Sequence, residues 1–233
     1  MEVNWLQRRW LRHPVRDERI VVPEILDELS AGDPRAVLSR HELVWINSLM
    51  GNWRWLRSAL GRHHQVGETV AELGAGDGIL ATDFLTGLLG DDGNPLTYVG
   101  YDLAPRPRNW PAGWEWNRGD LRAAPAKSEI VLVNLFLHHF DDEALRELLA
   151  PTIDQARVLL FSEPARYGVH QWMGRCLYPF GLSEVTRHDM QVSIAAGFRE
   201  GELADILGLD SRSWAVREQR SFMGALRFEA VRK

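Results

Sequence analysis

The sequence predicts an α/β fold, a mostly parallel sheet with helices on both sides, and three observations lead there. From Gly67 onward strand-like and helix-like segments alternate, which calls for right-handed crossovers between parallel strands. The run EIVLVNLFL at 129–137 is apolar almost throughout, as a strand covered on both faces must be. The chain then closes with SWAVREQRSF and ALRFEAVRK, two strand-like runs joined at Met223 and Gly224, the pattern of a hairpin at a sheet edge.

The elements follow in order. Asp33 can cap a helix that opens with Pro34 and places Ile46, Leu49, Met50, Trp53, Leu56 and Leu60 on one stripe, with a break at Gly51. TVAEL reads as a short buried strand, followed by a glycine turn and a helix to about Leu89. LTYVGYDL is a second strand closing on Asp102. Prolines at 105, 107 and 111 then rule out a regular crossover helix. GWEWNRGDL alternates Trp114 and Trp116 with polar residues and ends at Asp120. The fourth strand is expected to run through Val133 to Leu137. DDEALRELL follows as a helix with an acidic first turn, and ARVLLFSEPA as another strand.

At 233 residues the chain suits one well-buried domain with a helical appendage. Residues 1–66 are read as a helical cap and 67–233 as the main domain. Hydrophobic residues at 45% and charged residues at 25% argue against extensive disorder, and a net charge of -5 offers no general surface for polyanions. The first twenty residues differ, with Arg8, Arg9, Arg12, Arg16 and Arg19 among Trp5, Leu6, Trp10 and Leu11. Such a segment can touch a membrane or nucleic acid, but docking of its tryptophans on its own domain is the first expectation. The single cysteine, Cys176, has no internal partner, and no apolar run approaches the roughly 18 residues of a membrane span. A cytoplasmic protein, with neither nucleic acid nor membrane as partner, is expected.

In a sheet of this kind ligands bind beyond the carboxyl ends of the strands. The first strand-to-helix turn reads Glu72-Leu73-Gly74-Ala75-Gly76-Asp77-Gly78. A dinucleotide fingerprint starting at Gly74 would need glycine where Ile79 stands, and Asp77 sits poorly beside a pyrophosphate. No lysine closes a phosphate loop. The turn therefore points to a ligand without phosphates.

On these residues the sequence resembles the class I S-adenosylmethionine-dependent methyltransferases. Glu72, Gly74, Gly76 and Gly78 match that family's first motif, Asp102 in VGYDL its ribose-binding acid, and Asp120 in RGDL the acid beside the adenine, with Leu121 as an apolar wall. The resemblance implies a Rossmann-like, seven-stranded sheet with an antiparallel last strand. It also implies S-adenosyl-L-methionine as cofactor and S-adenosyl-L-homocysteine as its product. Each match has a plainer counterpart: Gly78 as a packing glycine, Asp102 as a turn residue, Asp120 as a helix cap.

Beyond the fourth strand stand His138, His139, Phe140, Asp141, Asp142 and Glu143. Adjacent strand residues point to opposite faces, so His138 and His139 are not expected to share a metal ion. Asp141 and Asp142 suit the N-terminus of the next helix. The segment resembles that of plant phenolic O-methyltransferases, which implies His138 as a general base and Asn134 at the methionine end of the cofactor. A hydrogen-bonded structural histidine has equal weight.

The sequence after the fourth strand, Asn134-Leu135-Phe136-Leu137, lacks the prolines of enzymes that methylate planar amines. Trp172, Met173, Tyr178, Phe180 and His188 are candidates for an acceptor pocket. The segments at 165–207 and 46–56 are similar to small bacterial methyltransferases of polyketide or quinone-type biosynthesis. The acceptor is accordingly expected to be a small aromatic or polyketide-like molecule, methylated on a hydroxyl. The N-terminal helix rich in Trp45, Trp53 and Trp55 would cover the pocket. A non-catalytic cofactor-binding subunit and a protein or RNA methyltransferase remain open. The oligomeric state is not legible.

Overall fold

The structure, a computed structural model, describes residues 15, 17–30, 32–86 and 96–233. Arg8, Arg9, Arg12 and Arg16, with the interleaved tryptophans, lie outside the described residues, as does the end of the helix expected to reach Leu89.

Seven strands form one sheet: β1 (Thr69–Leu73), β2 (Thr97–Asp102), β3 (Glu115–Arg118), β4 (Ile130–Asn134), β5 (Val158–Pro164), β6 (Trp214–Arg220) and β7 (Ala225–Arg232). Their order is β3-β2-β1-β4-β5-β7-β6. β1 to β5 pair in parallel, and β7 runs antiparallel between β5 and β6. The Rossmann-like sheet with its C-terminal hairpin is therefore as expected, and Gly224 turns the hairpin at φ 88°.

Helices cover the sheet: α1 (Ile25–Glu28), α2 (Pro34–Met50), α3 (Asn52–His63), α4 (Asp142–Ile153), α5 (Gly168–Cys176), α6 (Glu184–Ala196) and α7 (Glu202–Ile206). Alternation along the strands divides the core in two. Leu73, Val133 and Phe161 face Leu145 and Leu149 of α4 and Leu203 of α7. Val70, Leu132 and Leu160 face Leu56 and Leu60 of α3. This is the period-two partition of a sheet covered on both sides. Among the described residues no helix is long and apolar enough to cross a membrane.

Asp33 accepts from the Arg35 N–H at the start of α2, and Gly51 ends that helix at φ 69°. Only part of the expected stripe reaches the core. Ile46, Trp53, Leu56 and Leu60 are buried, whereas Leu49 is 42% exposed and Met50 half-buried. Both of the latter border a cavity instead.

After β1 the chain makes a wide turn at Leu80–Leu85, in which the Thr86 N–H reaches back to Ala81 O at 3.0 Å. No regular helix follows β2, as its prolines require. Trp110 fills that space, and a Cβ on Gly100 would come within 2.6 Å of its ring. Tyr98, Trp114 and Trp116 pack around it at centroid distances of 4.9–6.2 Å.

One expectation is corrected. β4 stops at Asn134, Leu135 takes φ 54°, and Leu137–His139 is a 3₁₀ turn rather than strand. The cause lies across the sheet. The Glu163 carboxylate, at the end of β5, accepts from the N–H groups of Phe136, Leu137 and His138 at 2.8, 2.9 and 3.4 Å. Gathering three successive donors onto one anion folds the backbone out of the extended form.

Candidate active site

Strand order reverses between β1 and β4, and a cleft of about 480 Å³ opens at that point beyond their carboxyl ends, where ligands of open α/β sheets bind. Gly74, Gly76 and Gly78 all lie at positive φ, 67°, 53° and 73°, a region that residues with a Cβ rarely adopt. A Cβ at Gly74 would strike the Phe136 ring at 2.5 Å, and one at Gly78 would meet Trp110 at 3.0 Å. At Gly76 the nearest atom would be 4.0 Å away, so that stretch of backbone is open to the cleft.

Asp102 accepts from the Gly76 N–H at 2.7 Å with one oxygen and from the Ala104 N–H at 2.8 Å with the other. It thus holds the glycine turn while bordering the cleft. Glu72 is buried and accepts from the Tyr98 hydroxyl at 2.7 Å. Burial, reinforced by the charge of Asp102 and opposed by the Tyr98 bond, pushes its carboxyl up to about 8. Asn134 donates to Asn47 of α2 at 3.1 Å, while its own Oδ1 is buried with no partner among the described residues. Glu72, Gly74, Gly76, Asp102, Asn134 and His138 all line the cleft, but Gly78 acts through packing.

Two of the anticipated cofactor residues are not brought there. Asp120 is exposed and forks onto Arg122, accepting from its backbone N–H at 2.9 Å. Leu121 is buried in the core on the α4 side of the sheet. The short β3 ends at Arg118, before either residue, and the turn after it points Asp120 into solvent.

His138 is 4% exposed and stands between two carboxylates, with Nδ1 2.8 Å from Glu163 and Nε2 3.4 Å from Glu24. Burial alone would favour the neutral ring, but the two carboxylates outweigh it and its pKa is pushed up to about 9. Glu24 is buried too. Burial opposes its ionisation, and His138, His139 and the Ser193 hydroxyl together hold it below the usual carboxylate range. The side chains of His138 and His139 do not diverge as expected. Because the turn is 3₁₀, their ring centroids are 4.4 Å apart, and together with Glu24 they place ligand atoms within 4.8 Å of one another. A metal ion could use that spacing, and so does an imidazolium paired with carboxylates. His139 also approaches Asp27 of α1 at 3.3 Å.

The raised pKa gives a signed expectation for stability. A histidine of folded pKa about 9 stabilises the fold fully below the ordinary value near 6.5 and loses that contribution as pH rises through 9. Thermal unfolding of the wild type is therefore expected to shift downward between pH 6.5 and 9. In His138→Gln that pH dependence should flatten, while an undiminished slope would place the titration elsewhere. Glu72 acts in the same direction over a lower range, since its raised carboxyl favours the fold below about 4.5 and loses that effect through 8.

A second cavity of about 350 Å³ adjoins the cleft. Leu43, Leu135, Pro164 and Ser193 border both. Leu135, a non-glycine residue at φ 54°, stands at this junction, and strained backbone of that kind is often retained at sites of function. Of the five anticipated pocket residues, Trp172 and Met173 line the second cavity. Tyr178 donates to Arg187 O, Phe180 is 77% exposed, and His188 is buried against Asp189 at 2.8 Å. The apolar Leu49 and Met50, which α2 keeps out of the core, belong to the cavity wall.

Sequence reasoning missed Glu24, Asn47 and Glu163. Glu163 left a trace, a lone acid ending the apolar run VLLFSEP. Glu24 and Asn47 left none, since their roles depend on how the N-terminal segments cross the cleft.

No protein-family model matches the sequence, and no curated relative matches it. Solved structures do resemble it. The plantazolicin methyltransferase BamL, in complex with a triazolic desmethylPZN analog and SAH, shares 8% identity at a TM-score of 0.65, with 99% of each chain covered. BpumL with a pentazolic analog and SAH shares 10% at 0.65, covering 86% of this chain and 92% of that one. Human N-acetylserotonin methyltransferase in complex with SAM shares 15% at 0.56, covering 99% of this chain and 68% of that one. The fold is that of the class I S-adenosylmethionine-dependent methyltransferases.

Proposed function

We propose that the protein transfers a methyl group from S-adenosylmethionine to a small-molecule acceptor, a hydroxyl of an aromatic or polyketide-like compound. The observation that supports this best is the pair of adjoining cavities. One is of mixed polarity and glycine-floored at the strand switch point, the other is apolar, and the two meet at Leu43, Leu135, Pro164 and Ser193.

The cleft residues fit the cofactor. Asp102 has lone pairs beyond its two backbone bonds for ribose hydroxyls, and the orphaned Asn134 Oδ1 and the Glu72 carboxyl suit the ammonium of the methionine end. An ammonium beside Glu72 would favour its ionised form. Open backbone at Gly76 leaves room for a bulky group against the chain. Bound there, the cofactor supplies a sulfonium methyl already activated for attack.

The chain's own part is alignment and one proton. The acceptor oxygen, entering from the apolar cavity, would displace Glu24 from His138 Nε2. With one carboxylate gone the imidazolium is less favoured, and the ring can receive the hydroxyl proton on Nε2 while Nδ1–H remains bonded to Glu163. A cofactor held by Asp102, Asn134 and Glu72 would supply the methyl, its carbon–sulfur bond breaking as the acceptor oxygen takes the carbon, so that the sulfur would be left as a neutral thioether. In-line placement accounts for much of the acceleration of such a step. Residues 17–28, with Glu24 hydrogen-bonded to Ser193 and the α1 N–H groups to Asp189, then act as the cover of the site.

Calorimetry with S-adenosylmethionine, S-adenosylhomocysteine and NADH tests the cofactor assignment. The first two are expected to bind and NADH is not, because Ile79 and Asp77 disfavour a pyrophosphate. NADH binding without heat from the other two would overturn it. Incubation with methyl-labelled cofactor and a fractionated cell extract, scoring which fraction gains label, tests transfer.

A further inference from the structure

We infer that the second cavity is a chamber for an uncharged aromatic acceptor, and that His170 reads a hydrogen-bond donor on that molecule. The inference takes its catalytic meaning from the methyl-transfer reading but concerns a binding event that can be measured without it.

Three features point this way. First, Met50, Met173, Met190 and Met223 all line the chamber, which is four of the five methionines in the sequence. Thioether side chains are polarizable, adaptable and make favourable contacts with aromatic rings, and Trp172 adds an aromatic wall. Second, among the described residues no carboxylate, lysine or arginine lines it. A charged acceptor would lose its hydration there without gaining a partner, which is strongly unfavourable. Third, the hydroxyl of Ser193, at the junction with the cleft, already donates to neighbouring acceptors, Glu24 and Asp189 O.

Beside the Cys176 thiol and the Trp172 indole, which also line the chamber, His170 offers a ring nitrogen, Nε2, with no hydrogen-bond partner among the described residues. Its Nδ1 lies 3.1 Å from Ala165 O. A carbonyl oxygen can only accept, so Nδ1 bears the proton. Burial, aided by the positive charge of Arg220, holds the ring below the ordinary histidine pKa and thus neutral. A neutral ring protonated at Nδ1 presents Nε2 as a bare acceptor. The ring is fixed in place by Gly224, where a Cβ would come within 3.1 Å of it, and by an edge contact with Tyr167. An acceptor with a hydroxyl or N–H remote from its reacting end would satisfy Nε2, and one lacking it would forgo that bond.

The test is calorimetric titration of the full-length protein with three probes: 2,6-dihydroxynaphthalene, 6-methoxy-2-naphthol and 6-hydroxy-2-naphthoate. The dihydroxy compound is expected to bind about tenfold more tightly than the methoxy compound, the size of one net hydrogen bond, and the carboxylate not measurably. His170→Phe should erase the tenfold preference while keeping affinity for the methoxy compound, and His170→Gln, which retains an acceptor, should restore part of it. Trp172→Ala, at a position 63% exposed that folding tolerates, should weaken both neutral probes and so locate them in the chamber. Equal affinities in the wild type, a preference that survives His170→Phe, tight binding of the carboxylate, indifference to Trp172→Ala, or no binding of any probe would overturn the inference. Failure of S-adenosylmethionine to bind in a separate titration would instead strike the methyl-transfer reading and leave the chamber result standing.

Discussion

Asp102→Ala is expected to weaken S-adenosylmethionine binding by about 1.5–3 kcal/mol, roughly 10- to 150-fold, because a charged acceptor of ribose hydroxyls is removed without substitute. The structure adds a second consequence. Asp102 also accepts from the N–H groups of Gly76 and Ala104, so the alanine variant should lose stability as well, by about 1–2 kcal/mol for two exposed or part-buried bonds. Asp102→Asn separates the two effects. Its amide oxygen can keep one backbone bond, yet it lacks the charge and presents an NH₂ where an acceptor is needed. Calorimetry gives the binding term and chemical unfolding the stability term for each variant. Normal cofactor affinity in Asp102→Ala would make Asp102 a turn residue only and place the ribose elsewhere.

The two parts of that expectation show how far the sequence could be read. The glycine turn and Asp102 were legible because local chemistry dictates them: a strand, a turn that only glycines at positive φ can make, and an acid at the end of the neighbouring strand. The same local logic identified the apolar β4 and β5, the hairpin and the proline-rich stretch without a crossover helix. It failed where a distant residue decides. Glu163, twenty-five positions from His138, draws three amides onto itself and turns an expected strand end into a 3₁₀ turn, and with that the two histidines come together instead of diverging. The resemblance implies Asp120 beside the adenine, while in the structure β3 is a short edge strand and Asp120 is exposed and paired with Arg122. Leu49 and Met50 kept the helical period of a core stripe while serving a cavity, a distinction periodicity cannot express because both uses ask for an apolar side chain on the same face.

His138→Ala is expected to retain cofactor affinity and to lose roughly 10²–10⁴-fold in turnover on a phenolic acceptor, the usual size of a general-base contribution. The raised pKa shapes how that loss depends on pH. With a value of about 9 in the closed site, only about one ring in a hundred is neutral at pH 7, so wild-type kcat/KM, which follows the free enzyme, should climb about tenfold per pH unit until the ring loses its proton. The variant lacks that rise and should recover only as the phenol itself ionises near its own pKa of about 10, so the difference between the two narrows at high pH. Glu163→Gln is a sharper probe of the same arrangement. It removes one of the carboxylates that favour the imidazolium, so the climb in kcat/KM should move to lower pH while the Nδ1 contact is kept in altered form. His139→Ala is expected to act mainly on thermal stability, through its contact with Asp27 at the cover of the site. Activity is also expected to survive a chelator, since the His138 imidazolium already pairs through its two ring nitrogens with the Glu24 and Glu163 carboxylates. Loss of activity on chelation, restored by a divalent ion, would instead assign the Glu24, His138 and His139 cluster to a metal. Unchanged turnover in His138→Ala, or an equal loss for both histidines at every pH, would leave alignment of the acceptor as the whole mechanism.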